Sequence, residues 1–152
     1  MRLLVSGSSG LIGSMLVRVA RSDGDEVVRL VRRDKAADDE VSWDPATGRG
    51  PDPAHLRGID AVVNLAGAGI GEHRWTDAYK KELLDSRVKS TTLLANTIAA
   101  LDDLPKVFLS GSAVGFYGDT GDTAVDENWP AGKDFLADLA AAWEAATAPA
   151  SN

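Results

Sequence analysis

Arg2-Leu3-Leu4-Val5-Ser6-Gly7-Ser8-Ser9-Gly10-Leu11-Ile12-Gly13-Ser14-Met15 is the stretch that decides how this chain folds. Leu3, Leu4 and Val5 form a short apolar run, as expected of a central strand with both faces covered. Gly7, Gly10 and Gly13 then follow at intervals of three. Glycine at a strand end permits a turn that other residues resist. At a helix start it lets backbone N–H groups approach a pyrophosphate, and further in it lets helix pack close to strand. The spacing therefore predicts strand, glycine turn and helix around a dinucleotide site. A merely flexible turn would carry the same letters.

Outward from the turn, Leu11, Met15, Leu16 and Val19 recur at helical spacing, and Asp23-Gly24-Asp25 supplies the stop. Val27, Val28, Leu30 and Val31 predict a second strand ending in Arg32-Arg33-Asp34. In a dinucleotide fold an acid at this place binds the ribose 2′-hydroxyl of NAD, whereas arginine accommodates the 2′-phosphate of NADP. Arg32 and Arg33 come first, which favours NADP; Asp34 keeps NAD open as the lesser choice. From Lys35 to Asp52 the chain turns acidic and rich in turn formers, predicting an exposed loop region that includes Glu40. Within it Val41-Ser42-Trp43 fits a short third strand and Pro51 to Leu56 a brief helical turn.

Ile59 to Leu65 reads as a buried strand closed by Asn64-Leu65-Ala66-Gly67, whose small residues leave room for the adenosine side of a nucleotide. Thr76 or Asp77 fits a helix cap, and Tyr79, Leu83, Leu84, Val88, Leu94 and Ile98 carry helical periodicity to about Ala100. His73, in the loop before it, has no partner in sequence and reads as a surface residue. Val107-Phe108-Leu109 is the fifth strand, followed by Ser110 to Asp119. Hydroxyls at that carboxyl end would sit near a nicotinamide lying across the sheet. Ser112 is either such a group or a turn hydroxyl bonding its own backbone, and Tyr117 either lines the cleft or packs.

Composition narrows the function classes. A chain of 152 residues is most simply one domain with a real core. It has no cysteine, which removes disulfides and thiolate metal sites. A formal net charge of −7 argues against nucleic acid or an anionic membrane surface as partner. With neither a signal-peptide pattern nor a long apolar span, a cytoplasmic location is expected.

Ser6-Gly7-Ser8-Ser9-Gly10-Leu11-Ile12-Gly13 resembles the Thr-Gly-x-x-Gly-x-x-Gly motif of extended and atypical short-chain dehydrogenase/reductases, with Ser6 for the usual Thr. Asn64-Leu65-Ala66-Gly67 is similar to the Asn-x-Ala-Gly stretch after their fourth strand. Arg74-Trp75-Thr76, Ser86-Arg87, Ser110 to Gly118 and Phe135 to Glu144 narrow the likeness to the epimerase family protein subgroup. That resemblance implies a Rossmann-like α/β fold, a doubly wound parallel sheet ordered 3-2-1-4-5, over residues 1–152. It also implies cofactor contacts at Gly7, Ser9, Gly10, Leu11, Ile12, Gly13, Arg32, Arg33, Leu65, Ala66, Gly67 and Ser110.

By the same resemblance Ser112 binds a substrate carbonyl oxygen, with Tyr117 the only nearby candidate acid. Where the wider family has Tyr-x-x-x-Lys, however, the chain has Phe135-Leu136-Ala137-Asp138-Leu139, and its usual asparagine is Arg87. A phenyl ring transfers no proton and leucine lowers no pKa. The expectation is an NADP-dependent oxidoreductase or epimerase-like enzyme acting on an unidentified small molecule. The alternatives are a catalytically silent NADP-binding or sensing protein, and a partial chain. Relatives continue into a sixth strand and a substrate-binding region, so Val107-Phe108-Leu109 would form an uncovered edge prone to self-association.

Overall fold

The computed structural model describes residues 1–151. Five parallel strands form one sheet: β1 (Arg2–Ser6), β2 (Glu26–Val31), β3 (Glu40–Ser42), β4 (Ala61–Asn64) and β5 (Val107–Ser110), in the order β3-β2-β1-β4-β5. Three helices cross over them: α1 (Leu11–Ser22), α2 (Asp77–Ala99) and α3 (Phe135–Ala145). This is the doubly wound arrangement that the alternation of apolar strands with helical periodicity predicts. Short 3-10 turns at Pro53–Leu56, Val114–Tyr117 and Ala148–Ala150 complete the regular structure.

Alternation along β1 sorts the core into two layers. Leu3 and Val5 pack with Val17 and Ala20 of α1 and with Val27 and Ala61. Leu4, pointing the other way, packs with Val28, Leu30, Val62, Leu94 and Ile98 on the α2 side. Successive strand side chains face opposite ways, so β1 is covered on both faces only because helices lie on both. Burial of each Leu, Val or Ile side chain here contributes about 1.5–3 kcal/mol.

Three expectations need correction. The apolar stripe of α1 is its core face only in part: Leu16 packs against the core, but Leu11, Met15 and Val19 are exposed, while Gly13, Val17 and Ala20 are buried. The loop between β2 and β3 is not uniformly solvated. Glu40 is only 2% exposed, held between Arg29 and Arg33. The third strand runs Glu40–Ser42, one residue earlier than read, and leaves Trp43 free to enter the core at 1% exposure.

The caps follow local chemistry. Thr76 accepts from the Tyr79 N–H at 3.2 Å to start α2, and Asp134 accepts from the Ala137 N–H at 2.9 Å to start α3. In contrast, α1 begins at Gly10 with no side-chain cap, so its first N–H groups are free to meet a ligand.

Candidate functional site

Two glycines of the turn are required by the protein itself. Gly7 has φ +67°, and any Cβ there would collide with the Leu65 backbone at the end of β4. A Cβ on Gly13 would stand 2.9 Å from Ser8 Cα and nearer still to the Gly7 carbonyl. Gly10 differs, since a Cβ there would meet only the Gly7 oxygen, at 3.4 Å. What its missing side chain leaves open is the approach to the α1 N-terminus.

That approach opens into a cleft of about 1050 Å³ along the carboxyl ends of β1, β2 and β4. The volume is that of a cofactor site. Gly7, Ser9, Gly10, Leu65, Ala66 and Gly67 line it, as do Arg32 and Arg33. Ser110 lines a different cleft, and Gly13 is buried under the turn. Leu11 and Ile12 are exposed at the start of α1, 82% and 68% accessible. Five bases line the larger cleft, Arg29, Arg32, Arg33, Lys81 and Lys89, against three acids, Asp44, Glu82 and Asp85. In a chain of net charge −7 this is a local reversal of sign that suits an anion.

The two arginines at the end of β2 are not equivalent. Arg33 donates from both terminal nitrogens to Glu40, each at 2.8 Å, while Glu40 also accepts from the Ala36 N–H at 2.9 Å. These bonds, Arg33 first, hold the Glu40 carboxyl at about 2, well below the ordinary 4.5. Arg32 lines the same cleft and has no hydrogen-bonded or ion-paired partner among the described residues. Asp34 is exposed and is not among the cleft-lining residues.

A buried polar chain ties this cleft to the β5 edge. Ser6 Oγ donates to Asn64 Oδ1 at 2.6 Å and accepts from the Leu65 N–H at 3.2 Å. Asn64 Nδ2 donates to Thr91 Oγ1 at 2.8 Å and to Ser110 Oγ at 3.3 Å, and Trp143 Nε1 donates to the same Thr91 oxygen at 3.0 Å. Ser6, Asn64 and Thr91 are each 0% exposed, so every member depends on the others for its hydrogen bonds. The sequence reading missed Thr91. Its signal was available: Ser90-Thr91 interrupts the apolar stripe of α2 between Leu83 and Leu94, where a polar residue needs a partner.

At the β5 end a second cleft of about 390 Å³ is lined by Ser110, Gly111, Ser112 and Glu144. Ser112 Oγ donates to the Glu144 carboxylate, a contact of strand end with helix α3. The Ser112 hydroxyl therefore bonds a side chain and not its own turn. Tyr117 packs edge to face on Phe116, ring centroids 5.3 Å apart, and is among the lining residues of neither cleft. Phe135 packs on Trp75 and Leu139 is buried, so the positions expected of a catalytic Tyr and Lys serve the core. His73 is exposed and stacks edge on to Tyr79 at 5.0 Å.

Among the described residues no group of histidines and carboxylates could hold a metal ion, and no helix is long and apolar enough to cross a membrane.

Residues 3–135 match the NAD dependent epimerase/dehydratase family. The Mycobacterium bovis epimerase family protein Mb2239 is 46% identical over 146 residues, which cover 96% of this chain and 48% of that one. The crystal structure of human epimerase family protein SDR39U1 (isoform 2) with NADPH superposes with a TM-score of 0.83 at 35% identity, over 97% of this chain and 48% of that one. A nucleoside-diphosphate sugar epimerase from Corynebacterium glutamicum superposes equally well, TM-score 0.83 at 38% identity, over 99% of this chain and 31% of its own. The chain spans about half the length of the curated relatives it matches.

Proposed function

The chain belongs to the NAD dependent epimerase/dehydratase family, and on that footing we propose that it binds NADPH as part of an oxidoreductase or epimerase-like enzyme. The observation that carries the reading is the cleft itself: an uncapped helix start at Gly10 and an unpartnered Arg32 face one space of cofactor size. The NADPH bound to human SDR39U1 supports the choice of nucleotide.

The pyrophosphate meets the free N–H groups of α1 across Gly10, and the adenosine side rests on Leu65, Ala66 and Gly67. Arg32, whose donors are uncommitted, takes the 2′-phosphate. Arg33, forked onto Glu40, holds the loop that presents Arg32. When bound, the cofactor would supply hydride transfer to a carbonyl carbon or from the corresponding carbinol carbon.

Ser112 is the residue we assign to the substrate oxygen. With its proton on Glu144, its oxygen accepts from a substrate hydroxyl, and holding a carbonyl oxygen requires that proton to turn from Glu144 to the substrate. Tyr117, packed on Phe116, is the weaker candidate.

Parallel titrations of wild type, Arg32→Ala and Arg33→Ala with NADPH and NADH test the assignment. Wild type is expected to favour NADPH, and Arg32→Ala to lose about 10- to 100-fold in NADPH affinity, the worth of a charge-assisted contact, with NADH little changed. Equal wild-type affinities would remove the NADP preference, and binding of neither nucleotide would sink the cofactor reading.

A second reading, a nucleotide-binding protein without chemistry, is favoured by the packing roles of Phe135 and Leu139. Transfer of label from labelled NADPH into any product would exclude it.

A further inference from the structure

Arg87 of α2 is partly buried without the partner that a buried charge ordinarily has. One terminal nitrogen donates to the Leu83 carbonyl, one turn back on its own helix, at 3.1 Å, and the guanidinium lies 5.2 Å from the Trp143 ring centroid. Among the described residues no carboxylate comes within ion-pair distance of it. Lys89, two residues further along α2, is different and pairs with Asp85 at 3.0 Å. Desolvation lowers the Arg87 pKa from its ordinary value. A guanidinium has five donors, and a partly desolvated one with most of them unused is costly unless an anion completes it.

The protein makes room for this cation at a particular place. A Cβ on Gly67, after β4, would stand 3.1 Å from Arg87 Cζ, and one on Gly111, after β5, would stand 2.8 Å from the Trp143 ring. The stacked pair thus lies against the carboxyl ends of β4 and β5. Gly67, against Arg87, lines the larger cleft with Ser86, and Gly111, against Trp143, lines the smaller with Ser112, while Arg87 and Trp143 are themselves among the lining residues of neither.

We propose that Arg87 is an anion-recognition residue for the substrate, taking a carboxylate or phosphate group of a molecule whose reacting oxygen sits at Ser112, with Trp143 as its backing plane. The substrate class is therefore anionic. This rests on the reading of the larger cleft as the cofactor site. On that reading the cofactor's phosphates have their own partners, the α1 N-terminus and Arg32. A planar, permanently charged fork fixed by stacking suits a carboxylate or phosphate in two-point contact.

The test titrates the purified chain with inorganic phosphate, at ionic strength held constant with chloride, both free and saturated with NADP+. The Trp143 indole N–H resonance is the reporter. Arg87→Met keeps the aliphatic stem on Trp143, and Arg87→Lys keeps the charge without the fork. The expected result is a saturable shift in wild type, weakened at least tenfold in Arg87→Met and partly restored in Arg87→Lys, with NADPH affinity within twofold of wild type in both. No saturable shift in wild type, or equal phosphate affinity in Arg87→Met, overturns the proposal. A tenfold loss of NADPH affinity in a folded Arg87→Met also overturns it, by assigning the contact to the cofactor's own phosphates. If wild type binds no NADPH, the cofactor reading fails separately and the titration without cofactor still decides whether Arg87 holds an anion. Should Arg87→Met not fold, Arg87→Lys decides alone: phosphate affinity equal to wild type there overturns the fork.

Discussion

β1 and β5 are both short apolar strands ending in serine, and both serines reach the same Asn64 side chain, yet the two strands live in different environments. Leu4 and Val5 of β1 are 0% exposed, whereas Val107 and Leu109 of β5 are 39% and 56% exposed. The difference is one of neighbours. β1 is paired on both sides, by β2 and β4, with helices on both faces; β5 is paired by β4 alone. At the β1 end the cradle is complete, each glycine having a defined reason to be glycine. At the β5 end the Ser112–Glu144 pair stands at an open edge. The glycine cradle thus lies in the covered part of the sheet and the Ser112–Glu144 pair at its margin.

The strongest way to break that contrast is at the turn. Gly13→Ala gains at most about 1 kcal/mol of helix propensity. It also places a methyl group against the Gly7 carbonyl. The expected result is a large fall in melting temperature together with loss of NADPH binding. Gly10→Ala sharpens the point, because its Cβ meets nothing closer than 3.4 Å. It should leave the melting temperature within a few degrees of wild type while weakening NADPH. Equal destabilisation by the two would show that the glycines are not serving separate purposes.

Next in size is Asn64→Ala, which takes away the acceptor of the buried Ser6 hydroxyl and one of the two donors to Thr91 Oγ1, at about 1–3 kcal/mol for an unsatisfied group. Denaturant midpoints would measure it. Because the network spans both ends, this variant should perturb the Trp143 indole resonance as well as the glycine turn; a change confined to one end would show the network to be two independent halves.

A smaller effect is expected from acid. The depressed Glu40 pKa means that the folded state favours its ionised form, so the contribution is full above the ordinary 4.5 and is lost as pH falls towards 2. Stability in Glu40→Gln should therefore depend less on pH across that window than in wild type. An unchanged slope would remove the Arg33–Glu40 fork from the account of how Arg32 is presented.

The smallest effect on stability is expected at the open edge. Leu109→Lys replaces a side chain that is 56% exposed, which should shift stability by less than about 0.5 kcal/mol. We propose self-association through this edge, and a charge there should reduce it. Sedimentation at increasing concentration would show it. A wild-type chain that stays monomeric at high concentration removes the proposal.

Much of the fold was legible because it rests on local signals. The apolar runs of β1, β2, β4 and β5, the Thr76 cap and the turn glycines each state their structure within a few residues. Reading failed where a helix face had to be chosen from composition alone. In α1 the apolar Leu11, Met15 and Val19 face out, because the close approach at Gly13 sets which side meets the sheet. It failed again at Glu40, placed among solvated acids, since its burial depends on arginines seven and eleven residues before it.

By itself the sequence determined the order of strands and helices, the glycine turn and the absence of a Tyr and Lys at Phe135 and Leu139. These follow from periodicity, backbone freedom and side-chain chemistry, which act over a turn or a strand. Only the tertiary structure decided which arginine lacks a partner among the described residues, that Ser112 bonds Glu144, and that Arg87 lies over Trp143 with no carboxylate of the described residues paired to it. Each of those is a pairing or the lack of one, and spacing along the chain does not show which charges will meet when remote segments pack together.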